Sequence, residues 1–527
     1  MSLSRRDVVK VGLFAGASLT LPLSRVVSGQ SALTNRMPSS KIPQPFTTPF
    51  ARPPVAKPVR FDDTTDYYDL TSAATMHEII PGFQTMLFTY GGVCPGPTFR
   101  VQRNRKVVVR HRNLLPKVHP TLGYEPWTSV HLHGSASLPQ FDGYASDITH
   151  PGQFKDYHYA NVQPARTMWY HDHGVFHTAE NAYHGLVAQY QTIDALEQSL
   201  PIPHGPYDVP LVIGDALFNN DGSLLFSLED ESGLWGDVIL VNGRPWPVMQ
   251  VERRKYRFRI VGTAVSRSWR FSLDSGEPMA VVATDGGLMT TPQYVNNFRA
   301  SSAERYEVII DFAKYPIGRR VVLQNSSPKN NVNYTNTNKI MAFDVVSDAT
   351  DTTNNSIPDV LNPDNEVMAL KATDSVRTRT FRFERDGGQW AINGTTWGDV
   401  VASDYQFSLA KPNTGDTEIW ELENSSGGWF HPVHMHLTDF KVLDRNGKPP
   451  FPYELGPKDV VYVGEGEKVR VLINWQGRGR YMMHCHNLIH EDHDMMAQFE
   501  VIDPAGPGDD PRGAMPISNA DEGDYPL

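Results

Sequence analysis

The stretch Tyr481-Met482-Met483-His484-Cys485-His486-Asn487-Leu488-Ile489-His490-Glu491-Asp492-His493-Asp494-Met495 constrains this chain more than any other. Cys485 stands between two histidines; His490 follows it by five residues and Met495 by ten. Thiolate, imidazole and thioether in this order suit a soft trigonal copper site for electron transfer, with methionine as the weak axial ligand. The run Arg480 to Met483 reads as a strand, and the segment beyond Cys485 has to bring His490 and Met495 back to it. Neighbouring side chains on a strand point to opposite faces. Cys485 therefore faces one way and His484 and His486 the other, so one short peptide would serve a copper on one side and a pair of coppers on the other.

The remaining ligands of such an arrangement are present. Three more His-x-His pairs occur, His131-Leu132-His133, His171-Asp172-His173 and His434-Met435-His436, and His431 lies three residues before His434. Of the 19 histidines, ten are in these pairs or beside them (His431 and His490), which separates the pattern from scattered surface histidines or a zinc fragment. Alternate residues of a strand share a face, so each pair directs two imidazoles toward one cluster. Eight imidazoles would suffice for three coppers, leaving His431 and His490 for the copper of Cys485.

With 527 residues the chain is long enough for about three domains. Its 41 glycines and 40 prolines imply many turns and many short strands. The runs Thr85–Tyr90, Thr98–Val101 and Val107–Arg110 are rich in β-branched and aromatic residues, and no helical period is sustained, so the fold class is all-β. A weak repeat joins Tyr90-Gly91-Gly92, Val241-Asn242-Gly243 and Ile392-Asn393-Gly394 at intervals of 151 residues. It fits three barrel or sandwich units, taken as residues 61–200, 201–347 and 365–503, with a polar linker at 348–364 and a tail at 504–527. The ligand histidines fall in the first and third units, which makes the middle unit a spacer. Residues 33–60, rich in proline, serine and threonine, read as an extended lead-in.

Arg5-Arg6 ahead of the moderately apolar Val11–Leu23 reads as a twin-arginine export signal over residues 1–32. The export machinery is then a partner, and the mature protein is periplasmic or secreted with no stable membrane span. A net charge of -11 argues against a nucleic-acid partner. Only two cysteines occur, so a metal-binding Cys485 leaves no disulfide within the chain, and Cys94 reads as a small buried residue.

With these motifs in view, residues 60–503 resemble the multicopper oxidases built from three consecutive cupredoxin-like Greek-key domains. Phe141-Asp142-Gly143, Thr178–Tyr183 and His490–Met496 carry a closer similarity to the bilirubin oxidase and spore-coat laccase branch. The resemblance implies four copper ions. A type 1 copper would take His431, Cys485 and His490 with Met495 axial; a type 2 copper His131 and His434; a type 3 pair His133, His171, His173, His436, His484 and His486. It also implies dioxygen as acceptor and a small reducing substrate: a phenol, an aromatic amine or a bilirubin-like tetrapyrrole. Oxidation of Cu(I) or Mn(II) is the alternative, weakened because the 16 methionines form no cluster outside the copper motifs. A non-enzymatic exported scaffold is disfavoured by the complete ligand set.

Dioxygen reduction to water consumes protons, so acids belong near the cluster. Asp142 is the first candidate for a relay, although Asp-Gly reads equally as a turn. Glu491 is the second, although an exposed loop carboxylate is its simpler reading. Trp429, two residues before His431, is either a docking surface at the type 1 site or ordinary core packing.

Overall fold

The computed structural model describes residues 35–227, 231–503 and 518–519. The export signal expected at residues 1–32 and nearly all of the tail lie outside the described residues.

Each of the three domains is a pair of sheets, and the 151-residue repeat marks the same piece of topology in each. In the first, Thr65–His77 runs parallel to Lys106–Asn113 and antiparallel to Thr85–Tyr90. In the second, Asp208–Ala216 runs parallel to Lys255–Gly262 and antiparallel to Val238–Val241. In the third, Arg377–Asp386 stands in the same relation to Thr417–Asn424 and Gln389–Ile392. The repeated dipeptide closes a tight turn after the antiparallel strand, and both of its residues have positive φ: 62° and 78° at Gly91-Gly92, 50° and 73° at Asn242-Gly243, 51° and 70° at Asn393-Gly394. Two consecutive left-handed residues define the hairpin turn that favours Asn-Gly and Gly-Gly, which is why the repeat survives in the sequence at these dipeptides. The protein is all-β with three cupredoxin-like domains, and among the described residues the few α-helices span at most six residues.

Residues of the extended lead-in run along the second domain. Thr48–Pro49 adds a parallel strand to Pro247–Arg253, and Met37 enters that domain's core. The first domain is tied to the second by a buried charge network. Arg259 contacts Asp208 (2.8 Å), Glu307 (2.9 Å) and Glu197, and Arg257 reaches Glu307 and Glu197. Thr167, on the strand Arg166–Asp172 of the first domain, donates to Glu307 (2.7 Å). Removing one partner from such a network leaves an uncompensated buried charge, a cost of about 3–5 kcal/mol, so this contact sets the register of the domains.

Two four-stranded sheets matter most. In the first domain, Val130–His133 pairs with Arg166–Asp172 so that His131 sits opposite His171. In the third, His431–Met435 pairs with Gly479–Cys485 so that His434 sits opposite His484.

Candidate metal centre

The two sheets bring all four His-x-His pairs into one buried cluster. His131, His133 and His171 converge, as do His131, His434 and His436, and His173, His436 and His484; within each trio the donor atoms lie within 4.8 Å of one another. His486 joins them, its ring 5.2 Å from that of His171 and 5.2 Å from that of His133. All eight imidazoles are at most 1% exposed. Burial drives most of them toward the neutral form: it holds His131, His133, His434, His436 and His486 well below the usual range, with neighbouring imidazoles adding to the effect, and lowers His171 to about 3 and His173 to about 4. A neutral ring holds a lone pair ready for a metal.

The outward nitrogens are fixed by the protein. The carbonyls of Asp142, Asp172 and Asp459 accept from Nδ1 of His131, His171 (2.8 Å) and His434 (2.8 Å). Carboxylate oxygens of Asp142, Glu491 and Asp459 face Nδ1 of His436 (2.7 Å), Nδ1 of His484 (2.9 Å) and Nε2 of His133 (3.1 Å). The inward nitrogens of His131, His133, His171, His434 and His486 are buried without a hydrogen-bond partner. Nε2 of His173 and of His436 each lie 3.2 Å from Nε2 of His484, pointing into the same space. Orphaned buried nitrogens are costly unless something binds them. With their outer partners they form the usual carboxylate–histidine–metal pattern, so the donor set fits metal ions.

The second group lies on the opposite face of the same strand. Cys485 Sγ is 3.3 Å from His431 Nδ1 and 3.6 Å from His490 Nδ1, and the two nitrogens are 3.3 Å apart. One sulfur and two imidazole nitrogens facing one point suit a single soft cation. Burial pushes the Cys485 thiol up, so a thiolate here needs a cation beside it. The outer Nε2 of His431 meets Ser426 Oγ (2.8 Å), and that of His490 meets the Ser232 carbonyl (3.0 Å). A short helix, Leu488–Asp492, returns His490, and Asn487 caps it by accepting from Ile489 N–H. Met495 is buried in the same core as Cys485, its carbonyl accepting from Cys485 N–H (3.1 Å). The odd spacing of His431 and His434 has the same origin as the split at Cys485: His431 faces the third domain's core with Cys485, while His434 faces the first domain.

Asp142 closes the turn that its sequence allowed, and it also orients the cluster. It ends a 3-10 turn before Gly143, where a Cβ would stand 2.5 Å from His131 N, and its carbonyl and carboxylate each hold a histidine of the cluster. Burial holds its carboxyl well above the usual range. For Glu491, the exposed-loop reading gives way: the side chain is buried, 2.9 Å from His484 Nδ1 and 3.5 Å from His173 Nδ1. Burial alone would raise it, but His484 and His173 outweigh that and bring it to about 2. Trp429 is half-buried, its ring edge-on to Trp390 (5.6 Å) and 6.0 Å from His490. His177 and His184 are buried against Glu180, apart from both donor groups.

Several contributors went unread in the sequence. The middle domain is more than a spacer: Arg305 binds Asp459 through both terminal guanidinium nitrogens, Asp285 accepts from the N–H of Asp459 (3.2 Å), and Ser302 Oγ lies 3.4 Å from His486 Nδ1. Asp172, between two of the clustered histidines, ties together Ser129, Gly174 and Asn181. Trp390 stacks on His490 at 3.9 Å. Only the central carboxylate of His171-Asp172-His173 carried a local signal, since it must face away from the pair.

Profiles of the family described as multicopper oxidase match residues 73–191, 189–344 and 362–505. The chain is 41% identical to bilirubin oxidase from Albifimbria verrucaria over 86% of this chain and 81% of that protein. The chain belongs to the multicopper oxidase family. It is 33% identical to a laccase from Bacillus subtilis (strain 168), over 86% of this chain and 97% of the laccase. The crystal structure of a multicopper oxidase from Pediococcus acidilactici superposes with a TM-score of 0.79 at 28% identity, covering 89% of this chain and 94% of that one. As a multicopper oxidase the protein is a copper-binding oxidoreductase that takes dioxygen as acceptor and a reducing substrate as donor. Among the described residues, no helix is long and apolar enough to cross a membrane.

Asp459→Asn preserves shape at the junction of the three domains while removing charge from His133 and Arg305. Copper retention by the histidine cluster is expected to weaken about 10–100-fold, the usual effect of losing an outer partner. Copper content after dialysis against a chelator measures it; unchanged retention would mean that Asp459 only packs.

Proposed function

We propose that this multicopper oxidase removes electrons singly from phenols, aromatic amines or bilirubin-like tetrapyrroles and uses four of them to reduce dioxygen to two waters. Four coppers would serve it: one held by His431, Cys485 and His490 with Met495 as a further ligand, one by His131 and His434, and two by His133, His171, His173, His436, His484 and His486. When bound, they supply one-electron acceptance at the Cys485 group and dioxygen reduction at the histidine cluster. Cys485 joins the two groups through its own backbone to His484 and His486, an unbroken covalent route. Asp142 and Glu491 orient His436 and His484 and carry protons inward. Asp142 is suited to this because Oδ1 is buried without a hydrogen-bond partner while Oδ2 holds His436.

The partly exposed Trp429 carries the choice of an aromatic donor. Its indole stands edge-on above Trp390, which stacks on His490, so an aromatic substrate laid against it meets a π-system in contact with a ligand of the Cys485 group. Glu231, whose carbonyl accepts from the Trp390 indole (2.9 Å), is paired with Arg385 (2.8 Å), which weakens this face as a cation site. Export through Arg5-Arg6 belongs to the same reading.

The copper-loaded protein should show an intense visible band that Cys485→Ser abolishes together with dioxygen uptake. Trp429→Ala should keep the band and lower kcat/KM for a phenol about fivefold, the weight of an aromatic contact worth about 1 kcal/mol. Uptake with Cu(I) but not with a phenol would replace the aromatic reading by metal-ion oxidation. Asp142→Asn is expected to slow turnover about 100-fold, the scale of a lost general acid, while stopped-flow reduction of the visible band by substrate keeps its rate. Arg5→Lys combined with Arg6→Lys should leave the protein in the cytoplasmic fraction; unaltered export would remove the twin-arginine assignment.

A further inference from the structure

Where the first two domains meet, Ala182, Val187, Val212, Leu240 and Val265 wall a cavity of about 70 Å³. That is several times the roughly 10–15 Å³ needed to hold one water by the same kind of measure, yet far too small for a tetrapyrrole. The polar groups that reach it are largely engaged, Asp215 through one of its two carboxylate oxygens. Tyr183 OH bonds the backbone of Leu217 and Leu225, Asp215 holds Arg267 and the N–H of Gly236, and Thr263 Oγ1 bonds the Ile213 carbonyl. Cys94 also lines it, and burial raises that thiol to about 12, so it presents an uncharged, unreactive surface. Its wall is mostly apolar, and such a wall accepts small apolar molecules.

Its inner wall abuts the histidine cluster. Val187 is the cross-strand partner of His171, and directly opposed residues of an antiparallel pair share a face. Two residues along the same face, Trp169 stacks on His171 (4.1 Å, 23°), with its ring 5.4 Å from both His133 and His486. Ala182, Val187, Val212 and Val265 form one continuous apolar cluster with Trp169, Ala303, Leu488 and Ile489. The Val265 carbonyl accepts from Leu488 N–H (3.0 Å), two residues past His486.

We propose that this cavity collects dioxygen from solvent and passes it along the apolar wall of Val187 and Trp169 to the histidine cluster. Dioxygen is the one reactant of the family's chemistry that is small, uncharged and apolar. The proposal rests on that use of dioxygen, and the aromatic or metal-ion donor has no part in it. Separate routes keep the bulky donor at Trp429 while the acceptor arrives through a different pair of domains.

Xenon is the probe. Crystals of the copper-loaded and the copper-free protein under xenon pressure should each show a xenon atom between Val212 and Val265. Val212→Phe and, at the rim, Leu224→Phe should exclude it. Both variants should raise KM for dioxygen and slow reoxidation of the reduced enzyme several-fold, leaving the visible band and KM for the phenol unchanged. If Val212→Phe fails to fold, Leu224→Phe carries both readouts. Absence of xenon from the cavity overturns the proposal, and so do variants that lose xenon but keep the wild-type KM for dioxygen. An unaltered protein that consumes no dioxygen at all sinks the oxidase activity instead, a result that the xenon measurement keeps separate.

Discussion

Eight imidazoles that belong to two domains have to point their lone pairs into one volume, and the rest of the molecule is arranged to make them do so. Neither sheet can build this group alone. The first domain offers His131 opposite His171, the third offers His434 opposite His484, and the cluster exists only where the two sheets face each other. The outer nitrogens then find carbonyls, carboxylates or a hydroxyl, which decides which nitrogen looks inward.

Such a group is expensive before a metal arrives. Buried donors and acceptors without partners cost about 1–3 kcal/mol each, and five of these imidazoles carry an orphaned inward nitrogen. The surrounding packing holds them regardless. Arg305 and Asp285 reach from the middle domain to Asp459, which serves both His133 and His434. The Arg257–Arg259 network locks the strand of His171 to the same domain. The middle domain thus contributes none of the clustered histidines and yet fixes the distance between the two domains that do.

The strand ending at Cys485 shows how one local rule produces two chemistries. Alternation sends Cys485 into the third domain's core, with Met495 and His431, and sends His484 and His486 toward the first domain. His490 returns because Asn487 caps a short helix immediately after the strand. In the proposed function, electrons and dioxygen are handled on opposite faces of this one strand.

All of this periodicity is local, which is why the sequence by itself determined the β class, the three-fold repeat at Gly91-Gly92, Asn242-Gly243 and Asn393-Gly394, and the set of histidines, cysteine and methionine from which metal centres can be made. Strand alternation and turn sterics act over a few residues and leave marks at fixed spacing. The burial of Glu491, the dual role of Asp142, and the parts played by Asp459, Arg305, Ser302 and Trp390 were decided only by the tertiary structure. Many of their partners lie on other domains, more than a hundred residues away, and an aspartate that orients a histidine has the same neighbours in sequence as one that merely closes a turn. Long-range contacts obey geometry that only the packed sheets impose, so the ligand types were legible in the chain while the groups that aim them were not.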